Sequence, residues 1–247
     1  MRYYQEEHES AYRKIERLGY TQWNDLFDQS GAWTYDYFQN RTFLERVIPR
    51  LDLPAASATT VLEYGCGTGP AACFLAARGF QVDAIDLIPE AVTLAQRMAK
   101  ERGVRVAFSV ADICALASEP VTRRYDLVLD SYCLQSIVTD QDRGAVFSAV
   151  RARLKPSGYY VVSTALYMPG RKYEPGSYDA STGICYREVP AGSVADQVVE
   201  IDGRWHIPHR RHLSADALRD ELVSEGFHVL SLESSDTGDV VCCLGPS

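Results

Sequence analysis

Val61-Leu62-Glu63-Tyr64-Gly65-Cys66-Gly67-Thr68-Gly69-Pro70 decides how the rest of the chain is read. An apolar run enters three glycines at alternate positions, and an alanine-rich stretch of helical composition, residues 71–78, follows at once. The pattern predicts a strand, a tight turn and a helix. The turn calls for glycine because bare backbone must come close to a ligand and because some of these positions require φ > 0, which side chains resist. Gly65 and Gly67 are the expected points of approach.

The residues beyond the loop sharpen this reading. Residues 81–86 form a second expected strand whose last residue, Asp86, is acidic and lies about 20 residues past the first glycine, where a ribose-hydroxyl acceptor belongs. A third strand, 104–110, runs into Ala111-Asp112-Ile113, and a fourth, 125–130, also ends in an acid, Asp130. Three successive strands ending in aspartate behind one glycine loop are far more specific than the loop alone.

These residues resemble the class I S-adenosylmethionine (SAM) dependent methyltransferases of the small-molecule type, in which an E-x-G-x-G-x-G loop cradles the methionyl part of SAM. The resemblance implies that Glu63, Gly65, Cys66, Gly67 and Gly69 form that cradle. Asp86 with Leu87 would take the ribose, Asp112 with Ile113 the adenine, and Asp130 would complete the cofactor site. The likeness covers residues 58–165 well and the tail in outline, but not the first 45 residues. A dinucleotide enzyme on a doubly wound sheet fits less well, because G-x-G-x-x-G wants Gly or Ala where Pro70 stands. The implied fold is α/β: a doubly wound, mostly parallel seven-stranded sheet with an antiparallel last strand.

Composition agrees. A length of 247 residues suits one α/β domain with a modest appendage. A net charge of −8 argues against nucleic acid or an anionic membrane as partner and favours a small-molecule substrate. The seven cysteines (66, 73, 114, 133, 185, 242 and 243) include no C-x-x-C pair and suit reduced, buried thiols. The first residues lack the apolar core of a signal peptide, and no run approaches membrane-spanning length, so a cytoplasmic monomer or homodimer is expected.

In chain order, residues 1–50 read as a helical extension and 51–247 as the SAM-binding domain. Eleven rings fall before residue 44, a load large enough that the extension must lie against something. Spacings such as Tyr4, His8, Tyr12 and Ile15 suit short amphipathic helices. Most of these rings are expected to pack on the sheet, and some to close over the pocket, where ring faces attract a sulfonium and exclude water. Tyr4, Tyr12, Trp23, Trp33 and Tyr37 are the lid candidates. Pro89 opens a second helix that Gly103 stops, and Thr139 begins a third, ended by Lys155-Pro156-Ser157-Gly158 before a fifth strand at 159–163. Alternating strands and helices imply a parallel sheet with ligands outside its carboxyl ends. Residues 166–192 then read as a long excursion over the pocket, with Tyr167, Tyr173 and Arg187 as further substrate-side candidates.

On the acceptor side, the segment after the fourth strand faces the reactive methyl in the family. Many small-molecule relatives carry a histidine there; here Tyr132 and Gln135 stand in that segment, and with Asp130 they are the catalytic candidates. Arg204-Trp205-His206-Ile207-Pro208-His209-Arg210-Arg211-His212 is the one basic cluster. It is expected to be a solvated hairpin end, next an anion site using Arg210 or Arg211, and last a metal site, since strand alternation would split its histidines between two faces. No metal is expected. Methyl transfer to a small molecule is the favoured chemistry. The alternatives are cyclisation of SAM itself with release of methylthioadenosine, as in the azetidine-carboxylate synthases of the same fold, and a SAM-binding sensor without catalysis.

Overall fold

The computed structural model describes residues 2–28, 33–171, 177–193, 197–235 and 237–245. In chain order α1 (Gln5–Leu18) and α2 (Arg41–Val47) precede β1 (Thr60–Tyr64), α3 (Pro70–Ala77), β2 (Gln81–Asp86), α4 (Pro89–Glu101), β3 (Val106–Val110) and β4 (Tyr125–Ser131). α5 (Asp140–Arg153) leads into β5 (Leu154–Ala165). β6 (Tyr178–Asp179), β7 (Ile184–Glu188), β8 (Val199–Ile201) and β9 (Arg204–Arg211) come next, then α6 (Ala215–Ser224), β10 (Phe227–Ser234) and β11 (Thr237–Leu244).

The main sheet has seven strands in the order β10-β11-β5-β4-β1-β2-β3. β1 to β5 pair in parallel, and β11 runs antiparallel to both β5 and β10. Burial on both faces explains the unbroken apolar runs of the central strands. Alternation sends Leu62 and Val128 into the core on one face, with Phe147 and Tyr160, and Val61, Leu127 and Leu129 into the core on the other, with Leu75 and Val161. α1 lies outside this frame and packs Tyr12 and Ile15 against Ile88, Ala91 and Leu94 of the α4 region.

Two expectations change. β5 starts at Leu154, directly after α5, because Tyr125 pairs with Leu154 and Leu127 with Tyr159, so residues 155–158 bulge from a continuous strand instead of forming a loop. The described part of the expected excursion at 166–192 is not free: β6 and β7 join β9 and β8 in a second, antiparallel sheet of order β6-β7-β9-β8. β8 and β9 do form the expected hairpin.

Candidate functional site

Strand order reverses between β1 and β4, whose chains leave the sheet in opposite directions, and an α/β sheet opens a crevice there. The crevice in this chain is a cleft of about 1170 Å³, open mouth included. The glycine loop forms one wall. Gly65 has φ 61° and Gly67 φ 56°, in the left-handed region. A Cβ at Gly65 would stand 2.3 Å from Cys133, and one at Gly67 would stand 2.9 Å from the Tyr12 hydroxyl. Bare backbone is therefore required by what lies on either side as well as by the turn.

Three buried carboxylates lie in and beneath this wall. Burial pushes Glu63 up to about 8, against the pull of Ser131 and the Ala72 amide, and Asp86 up to about 6 although the Ile88 and Gly67 amides draw it down. Glu63 Oε2 is buried without a hydrogen-bond partner among the described residues. Asp86 accepts from the Gly67 N–H at 2.8 Å and the Ile88 N–H at 2.9 Å, so it holds the loop as well as facing the cleft. Asp130 is the correction. Tyr132 takes φ 66° and turns the chain back, so that the Cys133 and Leu134 amides and the Tyr64 hydroxyl all donate to the Asp130 carboxylate. It is fully buried, raised to about 7 mainly by that burial, and does not line the cleft.

Of the remaining cofactor-side candidates, Cys66, Leu87, Asp112 and Ile113 line the cleft, and Gly69 does not. Asp112 is already engaged: Arg2 Nε donates to its Oδ2 at 2.8 Å and the Cys114 amide to its Oδ1 at 2.9 Å. Tyr132 and Gln135 both line the cleft, with Gln135 Oε1 accepting from the Ala165 amide at 2.8 Å. Tyr4, Tyr12 and Trp23 face it from the N-terminal side.

Trp33, Tyr37, Tyr167 and Arg187 are placed elsewhere. Trp33 packs on Tyr37, which is 56 % exposed, and its indole N–H donates to Asp28. Tyr167 stacks on Tyr178 with centroids 4.7 Å apart, and Arg187 lies 3.9 Å from Glu7. Tyr173 lies outside the described residues.

Sequence reasoning missed His8, Asn40, Ser131 and Cys133, all of which line the cleft, and gave Arg210, which lines it too, only as a second-choice anion site. His8 had a signal, the i, i+4 spacing with Tyr4 and Tyr12, which puts all three on one helix face. The segment after β4 has no histidine, and His8 lines the same cleft from α1. Arg210 was flagged by its basic cluster but not placed at the cleft, where the second sheet, with Cys185 paired to Arg210, brings it. The basic cluster is a solvated hairpin end only at its turn, where Arg204 and Trp205 are exposed. His206, Ile207 and Pro208 are buried, and Glu7 of α1 accepts from His209 at 3.0 Å and from Arg210 at 3.2 Å. Burial alone would raise Glu7, but the His209 hydrogen bond and the Arg210 charge bring it down to about 2.

The family model described as "Methyltransferase domain" matches residues 61–158. The ubiquinone biosynthesis O-methyltransferase of Xanthomonas euvesicatoria pv. vesicatoria (strain 85-10) is 34% identical over 157 residues, 64% of this chain and 61% of that protein. This chain therefore spans about three-fifths of the length of that relative. A S-adenosylmethionine-dependent methyltransferase from Clostridium acetobutylicum ATCC 824 superposes with a TM-score of 0.64 at 16% identity, over 95% of this chain and 99% of that one. The glycopeptide N-methyltransferase MtfA, solved with (S)-adenosyl-L-methionine, gives 0.57 at 19% identity, over 85% and 96%. Residues 61–158 thus match a methyltransferase-domain family, and the chain around them has the class I S-adenosylmethionine-dependent methyltransferase fold.

Proposed function

We propose that this chain transfers the methyl group of SAM to a small molecule. The observation that carries the reading is the unpartnered, buried Glu63 Oε2 beside Asp86 in a cleft faced by aromatic rings. Such a floor is short of a cation, and rings opposite it favour one. Bound there, SAM supplies a methyl group made electrophilic by its sulfonium. The glycine loop with Glu63 would hold the methionyl end, Asp86 the ribose, and Ile113 with Asp112 the base. Residues 1–50 act as a lid on the domain of 51–247: Tyr12 over Gly67 and Trp23 beside it keep water from the reacting groups. The similar O-methyltransferase of ubiquinone biosynthesis supports a small, ring-bearing acceptor.

Neither nucleic acid nor membrane enters this reading. The net charge is −8, and no helix among the described residues is long and apolar enough to cross a membrane. All seven cysteines are unbonded, which supports a reducing, cytoplasmic setting. The test is incubation of the purified protein with SAM, with and without a panel of small phenols and amines, followed by mass spectrometry. S-adenosylhomocysteine that appears only with an acceptor is the expected result, and Asp86→Asn should weaken SAM binding at least tenfold by calorimetry. Methylthioadenosine formed from SAM alone would overturn it.

A further inference from the structure

The inner face of α1 presents Tyr4, His8 and Tyr12 at intervals of four, and all three line the cleft. Tyr4 and Trp23 flank the His8 imidazole, with ring centroids at 5.5 Å and 4.9 Å. His8 Nε2 is buried and has no hydrogen-bond partner among the described residues, whereas buried polar groups almost always find one. The rings beside it bring apolar surface, and the remaining side is the cleft. Glu63 Oε2 is the other cleft-lining atom left in this condition, so the cavity carries one unmet acceptor on its cofactor wall and one on its lid wall.

We propose that His8 Nε2 takes the proton of a hydroxyl on a planar, ring-bearing acceptor seated against Tyr4 and Trp23; the proposal rests on the methyl-transfer reading above. Burial first, then the charges of Arg210 and His209, hold His8 down to about 3 despite Glu7, so the ring is neutral at physiological pH. With its proton on Nδ1, a neutral imidazole offers the Nε2 lone pair. As the hydroxyl oxygen gains the methyl carbon, its proton passes to Nε2. One oxygen lone pair forms the new C–O bond, and the C–S electron pair stays on the departing thioether sulfur. Positive charge is conserved in the cleft, moving from sulfur to imidazole. The imidazolium is disfavoured by burial and by Arg210, so Nε2 holds the proton only in passing, and Glu7 is the carboxylate that steadies it.

The test compares wild type with His8→Gln and His8→Phe, using retained S-adenosylhomocysteine binding as the check that the cleft is intact. The first readout is equilibrium binding of 4-ethylphenol and ethylbenzene, with and without S-adenosylhomocysteine. The preference for the phenol over its counterpart lacking the hydroxyl should fall about tenfold in His8→Phe. The second is kcat/KM for phenols of graded acidity. His8→Gln should cost about a hundredfold with 4-ethylphenol and little with 4-nitrophenol, which is already ionised at mildly alkaline pH. An unchanged binding preference, or an equal loss with both phenols, overturns the role of His8. A His8-dependent preference without any turnover would leave this site standing and count instead against methyl transfer.

Discussion

Burial holds the Glu63 carboxyl protonated at neutral pH in the ligand-free protein. Its carboxyl sits at about 8 in the folded protein and near 4.5 when unfolded, so the folded chain binds the extra proton between those values. Its contribution is fully present at low pH and is lost as pH rises towards 8; Asp130 and Asp86 act in the same direction at about 7 and 6. Glu63→Gln keeps the shape and removes the titration. Thermal denaturation of the ligand-free variant should fall less steeply between mildly acid and mildly alkaline pH than wild type, by an amount of order a few kcal/mol at the alkaline end. SAM binding by the same variant should weaken about tenfold or more. At this scale much was legible: glycines at alternate positions and strand-end acids announce their backbone geometry locally. Asp130 misled because an acid at a strand end serves a ligand or the turn after it equally well, and the left-handed Tyr132 decides for the turn.

Among the elements, α1 depends on contacts outside itself to stay docked. Its N-cap, Tyr4, makes no side-chain capping bond, and the helix is moored by Arg2 to Asp112 and Asp142 and by Arg13 to Glu90 at 2.8 Å. Arg2 also holds the acid expected to meet the adenine, so cofactor binding and helix docking share a group. Hydrogen exchange of α1 amides should slow when SAM is added, and in Arg2→Ala it should quicken severalfold without SAM, while exchange in β1 and β4 stays unchanged. The helix itself could be read from spacing. That its rings would lie over a pocket was expected, but which of them would reach it was not, because periodicity shows that a face is apolar and leaves open what covers it. The second sheet was hidden for a related reason: β6 and β8 are two and three residues long, and their pairing is non-local.

For the whole molecule, the division of labour follows chain order. The wall that carries the glycine loop comes from β1 to β4 and the turns after them, while the wall facing it comes from α1 and from β9, almost two hundred residues apart. The two halves of that wall touch through Glu7, which receives His209 and Arg210; depressed to about 2, it keeps its charge at all but strongly acid pH. This single junction bears on how such a chain can change its diet over evolution. A recombination event that brought in a foreign second sheet alone would bring its own partner for a carboxylate it did not come with. Replacing residues 177–211 by those of a relative with a different acceptor should leave SAM affinity intact yet give poor turnover of both acceptors. Replacing residues 2–28 as well should restore turnover of the new one, as product mass spectrometry of the two chimaeras would show. Under that outcome, acceptor choice in this chain is set by a matched pair of distant segments, and lineages that switch substrate should be found to have exchanged both.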